Sequence, residues 1–93
     1  MLRAIALSPN NAYARKGWGL CVAKQGRVDE GLASLERAIA LRPEWFDPNW
    51  DFLVVCGESR RMKDGRRVLA LARERFPEQR GELDELVRHF ARR

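Results

Sequence analysis

One short sequence recurs at a fixed interval and constrains the fold more than any other feature of the chain. RAIALSP ends at Pro9, RAIALRP ends at Pro43, and a looser copy, ARERFP, ends at Pro77. Successive prolines are therefore 34 residues apart. Because proline cannot continue a helix, each copy predicts the end of a helix at the same point of a repeated unit.

The second copy closes the clearest amphipathic segment of the chain. Leu32, Leu35 and Ile39 fall on one apolar stripe at a helical period, which predicts a helix over about 28–41. Asp29 is the expected cap at its start.

Turn signals separate this segment from other apolar stripes along the chain. Asn11 is a fair N-cap after a Ser-Pro-Asn turn, Gly26 breaks the following helix, and Asp47 with Pro48 marks another helix start. Besides the end of a helix near residue 7, we expect helices over about 12–25, 47–59, 63–75 and 79–91. No stretch alternates with a strand period over a useful length, so the predicted fold is all-α.

Composition excludes several classes of protein. An apolar content of 45% and a charged content of 33% are typical of a globular chain rather than a disordered one. No window approaches the length of apolar sequence that a transmembrane helix needs, and we expect a cytoplasmic protein without membrane contact. Cys21 and Cys56 are too few for a disulfide framework or a zinc site, so we expect two reduced, buried cysteines and neither metal nor cofactor.

Helix, turn, helix and turn at a 34-residue period resembles the tetratricopeptide repeat. Trp18-Gly19 stands at the family's Leu-Gly position and Val22 at its Tyr position. The small, large and closing positions are then occupied by Gly31, Leu35 and Pro43, and 34 residues later by Gly65, Leu69 and Pro77. Arg15 and Asn49 replace the family's Trp, and Leu53 replaces its Gly.

This resemblance covers essentially the whole chain. It implies one domain, a right-handed α-solenoid of antiparallel helix pairs with a C-terminal capping helix. The implied units are a half repeat over 1–11, repeats over 12–45 and 46–79, and the capping helix over 80–93.

The resemblance also implies a role as a protein-interaction module that binds a peptide or protein segment in a concave groove lined by the first helix of each pair. Leu20 and Val54 stand where a carboxylate clamp would want asparagines, so we expect an apolar or mildly acidic peptide instead. A second interpretation stays open, in which Tyr13, Leu20 and Trp50 only pack against neighbouring helices. The expected groove residues are Tyr13, Lys16, Leu20, Lys24, Trp50, Val54, Glu58, Asp84 and Arg88.

A basic run offers a function of another class. Its five cations, in a chain of formal net charge +5, could hold a polyanion such as nucleic acid. The run lacks the interleaved aromatic residues that stack on bases, so we favour a solvated surface and consider nucleic acid unlikely. The five residues are Arg60, Arg61, Lys63, Arg66 and Arg67.

The N-terminal end predicts incomplete packing. Leu2 and Ile5 lack the partner helix that a full repeat would supply, which is consistent with self-association through the half repeat or with a fragment of a larger protein. No nucleophile and base lie in a recognisable pattern, and the single His89 suits the C-terminal end of a helix. We therefore do not expect an enzyme, and a third interpretation is a non-catalytic part of a larger enzyme or secretion component.

Overall fold

Helices account for all the regular structure within residues 11–92, the part of the chain that the computed structural model describes. They are α1 (Ala12–Lys24), α2 (Val28–Leu41), α3 (Asp47–Glu58), α4 (Met62–Arg75) and α5 (Arg80–Ala91). A 3-10 turn, Pro77–Gln79, leads into α5. The all-α prediction is confirmed for these residues, whereas the half repeat predicted over 1–11 lies, apart from Asn11, outside them.

The helix starts agree with the sequence in one case and differ in two. The Asn11 side chain accepts a hydrogen bond from the backbone N–H of Ala14 at 3.0 Å, which confirms the predicted cap. Asp29 and Asp47 were wrong as caps, because both lie inside the first turn of their helices. There their carboxylates still face the positive end of the helix dipole.

The third helix is the centre of the molecule. Each helix packs against the next along the chain, and α3 also packs against α1 and α5, so it contacts all four other helices. One continuous apolar core results, built from α2, α3, α4 and α5. Its buried members are Leu32, Leu35, Phe52, Leu53, Val55, Cys56, Val68, Ala72 and Leu83.

The 34-residue interval of the sequence reappears in the helix ends. Helices α1 and α3 end at Lys24 and Glu58, and α2 and α4 end at Leu41 and Arg75. The turns after α1 and α3 each contain a residue with a left-handed backbone, Gly26 at φ 90° and Arg60 at φ 58°. Glycine adopts this conformation readily, whereas an arginine there is disfavoured because its Cβ crowds the backbone.

The two helix pairs are packed differently. Between α1 and α2, Gly19 and Gly31 bring the backbones together so closely that a Cβ added at Gly31 would lie 2.7 Å from the Gly19 carbonyl oxygen. Between α3 and α4, the fully buried Leu53 occupies the position equivalent to Gly19 and packs against Gly65. The Leu53 side chain therefore lies between α3 and α4, whereas the backbones of α1 and α2 are in direct contact at the equivalent position.

The two cysteines differ in their surroundings. Both are free thiols, but Cys21 is exposed on α1, so the prediction that both are buried was wrong for that residue. Cys56 lies in the core, where burial, assisted by the charge of Asp64, raises the pKa of its thiol to about 11.

Candidate functional site

An aromatic and cationic cluster lies beside the start of α1. The Tyr13 ring is tilted against Trp45, from the turn before α3, with centroids 4.4 Å apart. The Arg42 guanidinium lies 5.8 Å from the Tyr13 ring, and the Lys16 ammonium lies 5.9 Å from the Trp45 ring, both within cation–π range. Tyr13 is nonetheless 62% exposed, so it contacts a neighbouring segment on one side and presents the rest of its ring to solvent.

An ion pair joins the first helices of the two pairs. Lys16 of α1 lies 2.9 Å from the Asp51 carboxylate of α3, and the two side chains are only 24% and 18% exposed. A partly buried pair is screened by salt less than a fully exposed one. Lys16 is therefore engaged within the protein, and its charge is less available to a carboxylate of a partner.

A cavity of about 360 Å³ opens beside this ion pair, and we call it the Lys16 cavity. Its lining combines two aromatic rings with three carboxylates and one ammonium, so its net charge is negative. This charge favours a cationic peptide side chain over the mildly acidic peptide expected from the sequence. The lining residues are Lys16, Phe46, Asp47, Trp50, Asp51, Gln79 and Glu82.

The elements that form the Lys16 cavity are distant in sequence. Lys16 comes from α1, Trp50 from α3 and Glu82 from α5, and α3 contacts both other helices. Phe46 anchors the cavity to the interior, with its ring centroid 6.1 Å from Trp50 and 5.2 Å from Phe76. The cavity therefore lies along α3, between the side chains contributed by α1 and α5.

Four other residues predicted for the groove occupy two kinds of environment. Leu20 and Val54 are half-buried, and Leu20 packs against the core. Lys24 and Glu58 are exposed at the ends of α1 and α3. None of the four lines the Lys16 cavity.

The two groove residues predicted on α5 are engaged in ion pairs. Asp84 pairs with Arg73 of α4, so this carboxylate is directed towards the second helix of the preceding pair. Arg88 pairs with Glu85, one turn earlier on α5, at 2.6 Å. The structure thus brings Lys16 and Trp50 to one cavity and places these two α5 residues elsewhere.

Sequence reasoning missed five members of the Lys16 cavity, which are Phe46, Asp47, Asp51, Gln79 and Glu82. A signal for Asp51 was present, since it adjoins Trp50 and carries the charge opposite to Lys16. Periodicity alone could not predict the pairing of Asp51 with Lys16. The repeat shows that Lys16 and Trp50 occupy equivalent positions, but it does not give the rotation of α3 relative to α1.

The predicted basic run is divided by the fold. Arg61, the residue before α4, pairs with Asp29 of α2 and with Asp64 of α4. Arg67 pairs with Glu36 of α2. These contacts neutralise two of the five cations within the protein.

The remaining three cations, Arg60, Lys63 and Arg66, line a second cavity of about 570 Å³. We call it the C-terminal cavity, because the last turns of α5 form one of its walls. The rest of its lining is Gly57, Met62, Leu69, Val87, Phe90 and Ala91.

Within residues 11–92, no cluster of three or more His, Cys, Asp or Glu side chains is placed to hold a metal ion. None of the helices described above is long and apolar enough to cross a membrane. No protein-family model, curated protein or solved structure matches the chain.

Proposed function

We propose that the chain is a tetratricopeptide-like solenoid that acts as a protein-interaction module without catalysis. In this proposal an extended segment of a partner lies across α1, α3 and α5, with a cationic side chain in the Lys16 cavity. The observation that carries it is the cavity itself, where Trp50 and the Lys16–Asp51 ion pair meet Glu82 of α5.

The recurrence of helix ends and left-handed turns at the same interval supports the solenoid part of the proposal. Each of these features depends on the local backbone, and the two helix pairs share them although their contact residues differ. In such a solenoid the first helices of successive pairs line one face, and α1, α3 and α5 are the helices that form the cavity.

The lining suggests how a partner would be held. Trp50 and Phe46 offer apolar ring surface, and aromatic residues in partly closed pockets commonly dominate the free energy of protein binding. Asp47, Asp51 and Glu82 offer carboxylates, while Lys16 offsets one of these charges. A partner segment with an arginine or lysine next to apolar residues fits this surface best.

Fluorescence anisotropy with two synthetic peptides tests the proposal. Both carry the same apolar residues, and one has arginines where the other has glutamates. We expect the arginine peptide to bind more tightly, and Trp50→Ala to weaken its binding by about tenfold or more. Glu74→Gln, at an exposed position on α4, is the control and should leave affinity unchanged.

Two results would count against peptide binding at this face. One is the absence of binding by either peptide up to about 1 mM, which would mean a binding free energy weaker than about −4 kcal/mol. The other is equal affinity of the arginine peptide for the original chain and the Trp50→Ala variant.

A further inference from the structure

The C-terminal cavity combines an apolar floor with an unneutralised basic rim. Met62, Leu69, Val87 and Phe90 supply apolar surface, and all four are half-buried. Each of these side chains therefore keeps part of its apolar surface accessible at the cavity. The Lys16 cavity differs from it, because three of its four charged lining residues are acidic.

The cations of the basic rim are not neutralised by carboxylates of the described residues. Arg60, Lys63 and Arg66 have no ion pair with any carboxylate in residues 11–92, whereas their neighbours Arg61 and Arg67 both pair with α2. The lining of the cavity contains no acidic residue. Three positive charges therefore face the same apolar opening without a counter-charge in its lining.

Arg60, one of the rim residues, has a backbone conformation that is disfavoured for arginine. Its φ is 58°, in the left-handed region, whereas the residue 34 positions earlier, at φ 90°, is Gly26. A glycine would satisfy this turn without strain. The chain thus has an arginine at the cavity, at a position where the backbone conformation favours glycine.

The protein itself shows what covers the equivalent surface one repeat earlier. Leu53 and Cys56 precede Val87 and Phe90 by 34 residues, and both are fully buried. Helix α4 covers them, and its Gly65 is so close that an added Cβ would lie 3.1 Å from Leu53 and 3.5 Å from Cys56. The element that fits there is therefore an α-helix with a small residue in its first turn, as Gly65 is in α4.

We propose that the C-terminal cavity is the docking site for an amphipathic α-helix of a protein partner, with small and apolar residues against Val87 and Phe90 and acidic residues against Arg60, Lys63 and Arg66. This is helix-in-groove recognition, in which apolar positions supply contact and charges select the partner. The segment expected to mediate self-association fits this site poorly, because residues 1–10 contain Arg3 and no carboxylate side chain to meet the basic rim.

Anisotropy measurements on the 93-residue chain test this docking with a matched pair of helix-forming peptides. Both have one stripe of leucine and alanine with a glycine in the first turn, flanked by glutamates in one peptide and by lysines in the other. We expect the glutamate peptide to bind about tenfold or more tightly than the lysine peptide, with affinity falling as salt rises. The double variant K63E/R66E should reverse this preference.

Controls separate this site from the Lys16 cavity. Glu82→Gln changes the acidic cavity and should leave binding of the glutamate helix unchanged, whereas K63E/R66E should leave the arginine peptide's affinity for the Lys16 cavity unchanged. If one peptide binds its cavity and the other does not, the result therefore separates this inference from the proposed function. Circular dichroism of each variant verifies that the helices are intact.

Three results would overturn the inference. The first is equal binding of the glutamate and lysine helices, or no binding of either up to about 1 mM. The second is a concentration-dependent dimer, detected by sedimentation, that K63E/R66E abolishes, since it would make a second copy the occupant. The third is tighter binding of a single-stranded oligonucleotide than of the glutamate helix, lost in the same variant, which would make the site a polyanion surface.

Discussion

The difference between the two helix pairs makes a sharp prediction about equivalent glycines. Gly31→Ala and Gly65→Ala introduce the same methyl group at positions 34 residues apart. At Gly31 the new Cβ would lie 2.7 Å from the Gly19 carbonyl oxygen and 2.8 Å from the Ala23 Cβ. At Gly65 its nearest neighbour would be the Leu53 Cδ2, at 3.1 Å.

These distances decide the sign of each effect. Both substitutions gain up to about 1 kcal/mol, because alanine favours helix more than glycine does. At Gly31 the methyl group meets backbone and a short side chain, so the helices must separate, and overpacking of this kind costs about 1–3 kcal/mol. At Gly65 the end of a leucine side chain can move by a few tenths of an ångström, so the cost is smaller.

We therefore expect Gly31→Ala to lower the free energy of unfolding by about 1–2 kcal/mol, and Gly65→Ala to change it by less than about 1 kcal/mol in either direction. In a domain of this size the first change corresponds to a fall in Tm of about 5–15 °C. The calibrating variant is Gly81→Ala, because an added Cβ there meets no atom within 4 Å.

Urea unfolding followed by far-UV circular dichroism measures all three variants. The midpoint should fall for Gly31→Ala while the slope stays constant, which indicates a change in stability rather than in the unfolded chain. If Gly31→Ala is as stable as Gly65→Ala, the close backbone approach of α1 and α2 is not present in solution and the reasoning is refuted.

Further predictions concern a turn, the thiols and a helix cap. Arg60→Gly should be more stable than Arg60→Ala by about 1 kcal/mol in urea unfolding, since both remove the charge but only glycine relieves the left-handed backbone; equal stability would contradict this. One thiol, Cys21, should react with a disulfide reagent in the folded protein, and Cys56 only after unfolding; Cys21→Ser should abolish the fast reaction. The folded pKa of Cys56 is raised from 9.0 to about 11, so its contribution to stability should be complete below pH 9 and be lost towards pH 11, a loss absent in Cys56→Ala. Asn11→Ala should cost about 1 kcal/mol and Asn11→Asp much less, and similar losses for both would exclude capping.

The helices could be located from the sequence because their ends depend on local chemistry. Pro43, Gly26 and Asn11 each act on hydrogen bonds within a few residues of themselves, and the structure ends or begins a helix close to each. Asp29 and Asp47 were misassigned as caps by one or two positions. The N-cap residue is Arg27 for α2 and Phe46 for α3, and neither makes a side-chain cap hydrogen bond.

The Lys16 cavity could be predicted only in part. The repeat placed Lys16 and Trp50 on corresponding positions of successive first helices, which is why both were expected in one groove. Asp51 and Glu82 were missed because their approach depends on the rotation of α3 and on the position of α5, and a sequence period contains neither quantity.

The sequence by itself determined the number, length and order of the helices in residues 11–92, because hydrogen bonds and turn preferences act over a few residues. Only the tertiary structure decided which charges remain available for a partner. Arg61 and Arg67 are neutralised because α2 brings Asp29 and Glu36 beside them. Arg66, the residue before Arg67 on α4, lines an apolar cavity instead. The side chains between helices set these distances, and they are contributed by residues far apart in the chain.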